Sequence, residues 1–256
     1  MTFIVLSFLF VLLSSASACD RCLHQSKATY TSKISSGACG YESLAMGFNG
    51  GMLAGGLPSL FKQGAGCGAC FKVRCKNAGL CRSEGTRVML TELQGDNRAD
   101  FVLNRNAYVA MAHKGMSQSL VNLGIVDIEY KRVPCDNKSK NLAIRVENYS
   151  SKPYYLAFTV LHQGGQTEIM GIDLAQVGSN NWASMKRNYG AVWDTNKVPS
   201  GPLKLRFLVK SGYSTKSILT QKVFPADWKS GVVYDAGIQI VDIAQEECSV
   251  CHKSNW

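Results

Sequence analysis

The stretch that decides the fold is C-G-A-C-F-K-V-R-C, residues 67–75, in which three cysteines frame alternating apolar and basic side chains. Phe71 and Val73 fall on one face of an extended chain and Lys72 and Arg74 on the other, which predicts a half-buried β-strand. The cysteines of this half of the chain are Cys39, Cys67, Cys70, Cys75, Cys81 and Cys135. Their uneven spacing is typical of a disulfide framework rather than of a metal site.

The amino-terminal segment predicts export. Residues 3–13 form an apolar run and residues 16–18 read A-S-A, so residues 1–18 are interpreted as a signal peptide cleaved at that point. A membrane anchor is disfavoured because the apolar run is too short to span a bilayer. An oxidising destination predicts disulfides, and it makes the sequons at Asn137 and Asn148 candidate glycosylation sites.

Four outlying cysteines form two C-x-x-C pairs, Cys19 with Cys22 and Cys248 with Cys251. Such pairs indicate zinc in a cytosolic chain, whereas the signal peptide favours oxidised sulfur, so no metal or other cofactor is expected. The two pairs could bridge each other or close locally, and the residues alone leave that choice open.

The net charge of +10 at pH 7 favours polyanionic partners. For an exported protein these are acidic polysaccharides or anionic surfaces rather than nucleic acid. Because no run of five or more basic residues occurs, the charge predicts diffuse attraction rather than a dedicated basic tract.

Alternating hydrophobicity predicts an all-β chain of two domains. The first half reads as a small β-barrel with strands at 70–75, 86–93 and 126–131 and one helix, which Asn104 caps and Ala107–His113 continue. The second half reads as a β-sandwich with strands at 142–146, 154–161, 167–174, 203–209, 218–224 and 232–241. The predicted divisions are a signal peptide over 1–18, a barrel domain over 19–138, a sandwich domain over 142–235 and a tail over 236–256.

Five motifs together carry a resemblance to a known family. They are T-Y-T at Thr29, G-A-C-G-Y at 37–41, the cysteine-rich stretch 67–75, Y-K-R-V-P-C at 130–135, and N-N-W-A-S-M-K-R-N-Y-G-A-V-W at 180–193. With these motifs the chain resembles the plant expansins, and within them the expansin-like A branch.

The resemblance implies a fold and a disulfide pairing. The first domain would be a six-stranded double-psi β-barrel like that of family-45 endoglucanases, and the second an immunoglobulin-like sandwich that binds carbohydrate. The implied bridges join Cys39 to Cys67, Cys70 to Cys135, and Cys75 to Cys81.

Carboxyl groups in the barrel are the candidates for chemistry. Inverting hydrolysis of a glycosidic bond needs an acid and a base on opposite sides of the bond, and Glu92, Asp96 and Asp100 are available. The resemblance places Asp100 on the family's acid position, without the histidine of the family's H-F-D motif, and implies that no catalytic base is present. It therefore favours a glucan-binding groove of Thr29, Tyr30, Glu92 and Asp100 that does not hydrolyse its ligand.

Aromatic residues of the second domain predict a binding platform, because a flat polysaccharide stacks on a row of aromatic rings. The resemblance assigns Tyr154, Tyr155, Tyr189 and Trp193 to this platform. Trp182 is assigned to the core, because aromatic residues are common in cores.

The favoured hypothesis is a secreted cell-wall protein that binds cellulose, xyloglucan or other matrix glucans and loosens the wall without hydrolysis. Two alternatives stay open: a wall-binding module without loosening activity, and a weak inverting endoglucanase that uses Asp100 as acid and Glu92 or Asp96 as base. We expect a monomer that needs no cofactor, binds no nucleic acid and is free of the membrane after signal cleavage.

Overall fold

The structure, a computed structural model, describes residues 23–95, 98–137, 139–211 and 214–243. The predicted signal peptide, the two C-x-x-C pairs and Asp96 lie outside the described residues. Among the described helices, none is long and apolar enough to cross a membrane.

The first domain is a closed barrel of six strands in the order β1-β5-β2-β4-β3-β6. Its strands are β1 (His24–Thr31), β2 (Leu53–Gly56), β3 (Cys70–Cys75), β4 (Thr86–Leu93), β5 (Phe101–Asn104) and β6 (Val126–Val133). The pairs β1–β5 and β2–β4 run parallel, and the other neighbours run antiparallel. Phe71 and Val73 of the alternating stretch point into the barrel core, where the ring centroids of Phe71 and Phe101 lie 5.3 Å apart.

Three short α-helices connect the barrel strands: α1 (Pro58–Phe61), α2 (Arg105–Val109) and α3 (Ser117–Leu123). The Asn104 side chain accepts a hydrogen bond from the Ala107 backbone N–H, so the predicted N-cap is confirmed. The helix ends at Val109, earlier than predicted, and α3 was not predicted.

The second domain is a sandwich of two antiparallel sheets, with strand orders β10-β9-β13-β14 and β11-β12-β8-β7-β15. Its strands are β7 (Ala143–Val146), β8 (Leu156–Leu161), β9 (Glu168–Gln176), β10 (Ala183–Ser184), β11 (Lys186–Tyr189), β12 (Val192–Thr195), β13 (Leu203–Ser211), β14 (Ser214–Leu219) and β15 (Val233–Asp235). An all-β barrel followed by a sandwich confirms the predicted fold class.

Among the described residues of the barrel domain there are three disulfide bonds, and they confirm all three pairings implied by the resemblance. They join Cys39 to Cys67, Cys70 to Cys135, and Cys75 to Cys81. The first holds the loop before the barrel's second strand against the loop before β3. The second fixes the end of the barrel, where the chain leaves for the second domain.

The predicted tail beginning at residue 236 differs from the structure over its first eight residues, 236–243. Ala236 and Ile240 are buried in the sandwich core. The Gln239 side chain accepts a hydrogen bond from the Gly164 N–H at 2.9 Å and donates to the Lys140 carbonyl at 2.6 Å. This segment therefore belongs to the sandwich and ties it to the linker between the domains.

Candidate functional site

A row of four residues crosses the outside of the barrel on adjacent strands. Thr29 of β1 is paired with Val102 of β5, Val102 with Gly55 of β2, and Gly55 with Glu92 of β4. Neighbouring strands lie about 4.8 Å apart, so the row spans roughly 14 Å. Gly55 and Val102 make the middle of the row apolar, and both residues are buried. The strand register places Thr29 and Glu92 at the two ends of this row, with no carboxyl group between them, and their assignment to a glucan groove stays a prediction.

The Glu92 carboxylate holds a loop in place through hydrogen bonds. Its carboxylate accepts hydrogen bonds from the Ser35 hydroxyl, from the Gly37 N–H at 2.9 Å and from the Ala38 N–H at 3.2 Å. The same group accepts a fourth bond from the Leu93 N–H at 3.0 Å. A carboxylate so fully hydrogen-bonded within the chain has little capacity left to activate a water molecule, and it fixes residues 35–38 beside the groove.

Asp100 lies outside the row. Its backbone N–H donates to the Lys27 carbonyl at 3.1 Å. Asp100 precedes Val102 by two residues, which is about 7 Å along the strand direction. Within the described residues, its carboxylate makes no hydrogen bond or ion pair. In this strand register, Val102 occupies the position that faces Thr29.

The two other predicted groove side chains have structural partners. The Thr29 hydroxyl donates to the Gly124 carbonyl at 2.9 Å. The Tyr30 ring packs against the barrel core, with its centroid 4.9 Å from that of Tyr108. Tyr30 therefore supports the groove from beneath rather than lining it.

Three tyrosines form an aromatic surface, the tyrosine face, at the five-stranded sheet: Tyr149, Tyr155 and Tyr189. The rings of Tyr149 and Tyr155 lie 6.3 Å apart, and Tyr149 and Tyr189 are 50% and 41% exposed. Tyr149 was missed by the sequence analysis because it follows β7 in a loop, without the alternation that marks a strand.

Polar contacts beneath the rings stabilise the tyrosine face. The Tyr155 hydroxyl donates to Asp194 Oδ2 at 2.7 Å, and the Asn188 side chain donates to the same oxygen at 2.8 Å. Burial, followed by the hydrogen bond to Asp194, raises the pKa of Tyr155 to about 12. Burial and the neighbours Tyr189, Glu147 and Tyr155 also raise the pKa of Tyr149. The Tyr149 and Tyr155 hydroxyls therefore stay protonated near neutral pH and can donate to or accept from sugar hydroxyls.

Two predicted platform residues lie elsewhere. Trp193 is 3% exposed and packs in the sandwich core, with the Arg187 guanidinium carbon 4.3 Å from its ring centroid. Its assignment to the platform was wrong, because in β12 the side chain of Trp193 faces the sandwich core, whereas Val192 and Asp194 lie on the opposite side of the sheet. Tyr154 is 75% exposed, but its ring contacts no other ring among the described residues.

Trp182 is also placed differently from the prediction. It is half-buried rather than in the core, and it lies on the four-stranded sheet, where the Arg206 and Lys204 side chains stack over its ring at 4.3 and 5.0 Å. The indole thus packs on the outer surface of the sandwich, on the sheet opposite the tyrosine face.

Backbone contacts join the groove side of the barrel to the tyrosine face. The Ala191 N–H donates to the Cys39 carbonyl at 3.1 Å, and the Arg145 side chain donates to the Gly40 carbonyl at 3.2 Å. A Cβ added to Gly40 would stand 2.4 Å from Val192 and 3.4 Å from the Tyr189 ring. The loop that Glu92 holds is therefore continuous with the loop that touches Tyr189.

A second contact between the domains is ionic. Glu168 pairs with Lys62 at 2.6 Å and with Arg132 at 3.1 Å, both from the barrel domain. Burial alone would raise the pKa of Glu168, but the hydrogen bonds and charges of the two cations outweigh it and hold that pKa below its usual range. Together with the loop contacts, this triad fixes the angle between barrel and sandwich.

The two sequons differ in their surroundings. The Asn137 side chain donates its amide N–H to the Gln163 carbonyl at 2.9 Å, at the junction of the domains. Asn148 is exposed and immediately precedes Tyr149 of the tyrosine face. Glycosylation stays a prediction for both sites.

A closed six-stranded barrel joined through a fixed interface to a sandwich with an aromatic face defines a two-domain protein of the expansin type. The family model of the expansin C-terminal domain matches residues 142–225. Expansin-like A2 of Arabidopsis thaliana is 53% identical, covering 98% of this chain and 97% of that protein. Expansin-like A3 of Oryza sativa subsp. japonica is 42% identical over 94% of this chain and 91% of that protein. The chain belongs to the expansin family, in its expansin-like A branch.

Solved structures agree with the fold. The crystal structure of an apo expansin from Clavibacter michiganensis aligns with a TM-score of 0.65 at 20% identity, covering 85% of this chain and 97% of that one. A mutant of the same bacterial protein in complex with cellohexaose aligns with a TM-score of 0.64, also at 20% identity, over 83% of this chain and 95% of that one.

Proposed function

We propose that this chain is a secreted cell-wall protein that binds cellulose or matrix glucans and weakens their contacts without hydrolysing them. The observation that carries the proposal is the tyrosine face, which adjoins the barrel groove through a loop held by Glu92. An extended glucan could lie on both domains at once, because their relative position is fixed by the interface. Membership of the expansin family and the bacterial expansin's complex with cellohexaose support this choice of ligand.

Binding rests on the aromatic rings. Each exposed ring offers an apolar surface to the C–H face of a sugar, while its hydroxyl reaches the sugar's own hydroxyl groups. Tyr149 and Tyr189 contribute most because they are the two well-exposed members of the tyrosine face. The sequence-derived signal peptide and the family's cell-wall role support export to the wall.

The barrel supports binding rather than hydrolysis. An inverting mechanism needs two carboxyl groups about 6.5–9.5 Å apart, one of them free to activate water. Glu92 is occupied by four hydrogen bonds, Val102 faces Thr29, and Asp100 is displaced along its strand. Thr29, which is half-buried, would then contact a glucan chain without attacking it.

Depletion from solution by insoluble cellulose tests the proposal. The double variant Tyr149→Ala with Tyr189→Ala should bind at least tenfold more weakly than the unaltered protein. Tyr154→Ala is the matched control, because it removes a still more exposed tyrosine outside the cluster and should leave binding unchanged. Equal binding by the double variant and the control would overturn the assignment of the tyrosine face, provided that both variants keep the unaltered protein's melting temperature.

A further inference from the structure

A polar cleft lies at the end of the sandwich far from the barrel. It is bounded by the loop that follows β9 and the loop that precedes β13, which are joined by a hydrogen bond from the Val177 N–H to the Pro202 carbonyl at 2.9 Å. Its volume is about 470 Å³. β9 runs from Glu168 at the barrel contact to Gln176 at the cleft, about 26 Å at 3.3 Å per residue. The cleft is therefore separate from the groove on the barrel.

The walls of the cleft offer hydrogen bonds and one aromatic surface. Its polar and aromatic lining residues are Gln176, Ser179, Asn181, Trp182, Lys197 and Ser200. Amide and hydroxyl groups of this kind pair with the hydroxyls of a sugar, and an indole packs against the C–H face of its ring. None of the lining residues carries a carboxylate.

The charge at the cleft is positive. Lys197 lines it, and Lys204 and Arg206 stack over the ring of Trp182. Arg206 is neutralised by Asp173, which accepts its hydrogen bond at 2.7 Å. Neither Lys197 nor Lys204 has a carboxylate within ion-pair distance in the part of the chain that the structure describes. Two ammonium groups thus remain to attract an anion.

We propose that this cleft is a second glycan site, which binds an oligosaccharide of uronic acids. The indole of Trp182 would pack against one sugar ring, the Gln176 and Asn181 amides would pair with ring hydroxyls, and Lys197 and Lys204 would pair with carboxylates. A neutral glucan would leave both ammonium groups uncompensated, which is why the charge selects an acidic ligand. The net charge of +10 draws the same class of polyanion to the protein as a whole.

Calorimetric titration of the full-length protein with tetragalacturonate tests the site. Saturable binding should weaken at least tenfold in Trp182→Ala and at least fivefold in Lys197→Gln. The Lys197→Gln variant should also make the binding affinity less dependent on salt concentration. Lys210→Gln is the matched control: it removes one exposed charge from the same strand as Lys204 but outside the cleft, and should change affinity less than twofold. Binding of insoluble cellulose should be unaffected by all three variants, since it depends on the tyrosine face.

Several outcomes would overturn the proposal. They are an absence of saturable binding, an equal loss in Lys210→Gln and Lys197→Gln, and displacement of tetragalacturonate by equimolar cellotetraose. An equal loss in the two lysine variants would show diffuse electrostatic attraction between protein and ligand. Displacement by cellotetraose would show a site for neutral glucan. Should Trp182→Ala unfold, the comparison of Lys197→Gln with Lys210→Gln still decides, because both lysines are exposed and neither supports the core.

Discussion

Replacing Gly190 with alanine should weaken the contact between the two domains. Gly190 has a φ of +48°, and a Cβ added there would stand 2.4 Å from the Ala38 carbonyl oxygen and 2.5 Å from the Cys39 Cα. Both neighbours are backbone atoms, so no rotamer change can relieve the overlap. A left-handed conformation costs a non-glycine residue roughly 1–2 kcal/mol, and overpacking adds about 1–3 kcal/mol. We expect Gly190→Ala to lower the free energy of unfolding by about 2–5 kcal/mol.

Gly178→Ala separates the two contributions to this cost. Gly178 has a φ of +86°, and a Cβ added there would meet nothing within 4 Å. Its alanine variant should therefore lose only the conformational part, roughly 1–2 kcal/mol. Guanidinium unfolding of both variants measures the difference, and calorimetry shows whether the domains now melt separately. If Gly190→Ala is no more destabilising than Gly178→Ala, the tight backbone contact between the domains is refuted.

Two further predictions concern stability. Because the pKa of Glu168 is depressed in the folded protein, its stabilisation is present above the ordinary value of 4.5 and is lost as the pH falls through the folded pKa. Urea unfolding between pH 7 and pH 3 should show that Glu168→Gln removes this part of the acid-side loss, and an unchanged pH profile would contradict the ionic triad. Opening the Cys70–Cys135 bridge, which spans 65 residues, should cost about 4 kcal/mol, against about 2 kcal/mol for the Cys75–Cys81 bridge, which spans 6. Paired Cys→Ser variants compared by denaturant midpoint test this order, which equal losses would contradict.

Local patterns predicted part of the fold, but they missed strands β1, β2 and β5 of the barrel. The alternation at 70–75 marks a strand with one buried face, and the Asn104 cap is a property of a few adjacent residues. The disulfide pairing came from the family resemblance, since spacing alone allows many connectivities. Strands β10 to β12 were missed because they are only two to four residues long, too short to show a period.

The candidate site was harder to predict because it depends on register and on distant partners. Alternation shows that Trp193 and its neighbours face opposite sides of the sheet, but not which side is covered. Three of the four groups that bond the Glu92 carboxylate come from residues more than 50 positions earlier in the chain. Val102 faces Thr29 only through the parallel pairing of β1 and β5, which no local pattern records.

The most direct test of the proposed function is the extension of heat-inactivated plant walls under constant load, with reducing-sugar release measured in the same sample. The account predicts that the protein extends the wall without releasing sugar, and that the double variant Tyr149→Ala with Tyr189→Ala loses the extension. Sugar release that Asp100→Asn abolishes would contradict the account by showing a hydrolase. An absence of both extension and release would contradict wall loosening and leave a protein that only binds the wall.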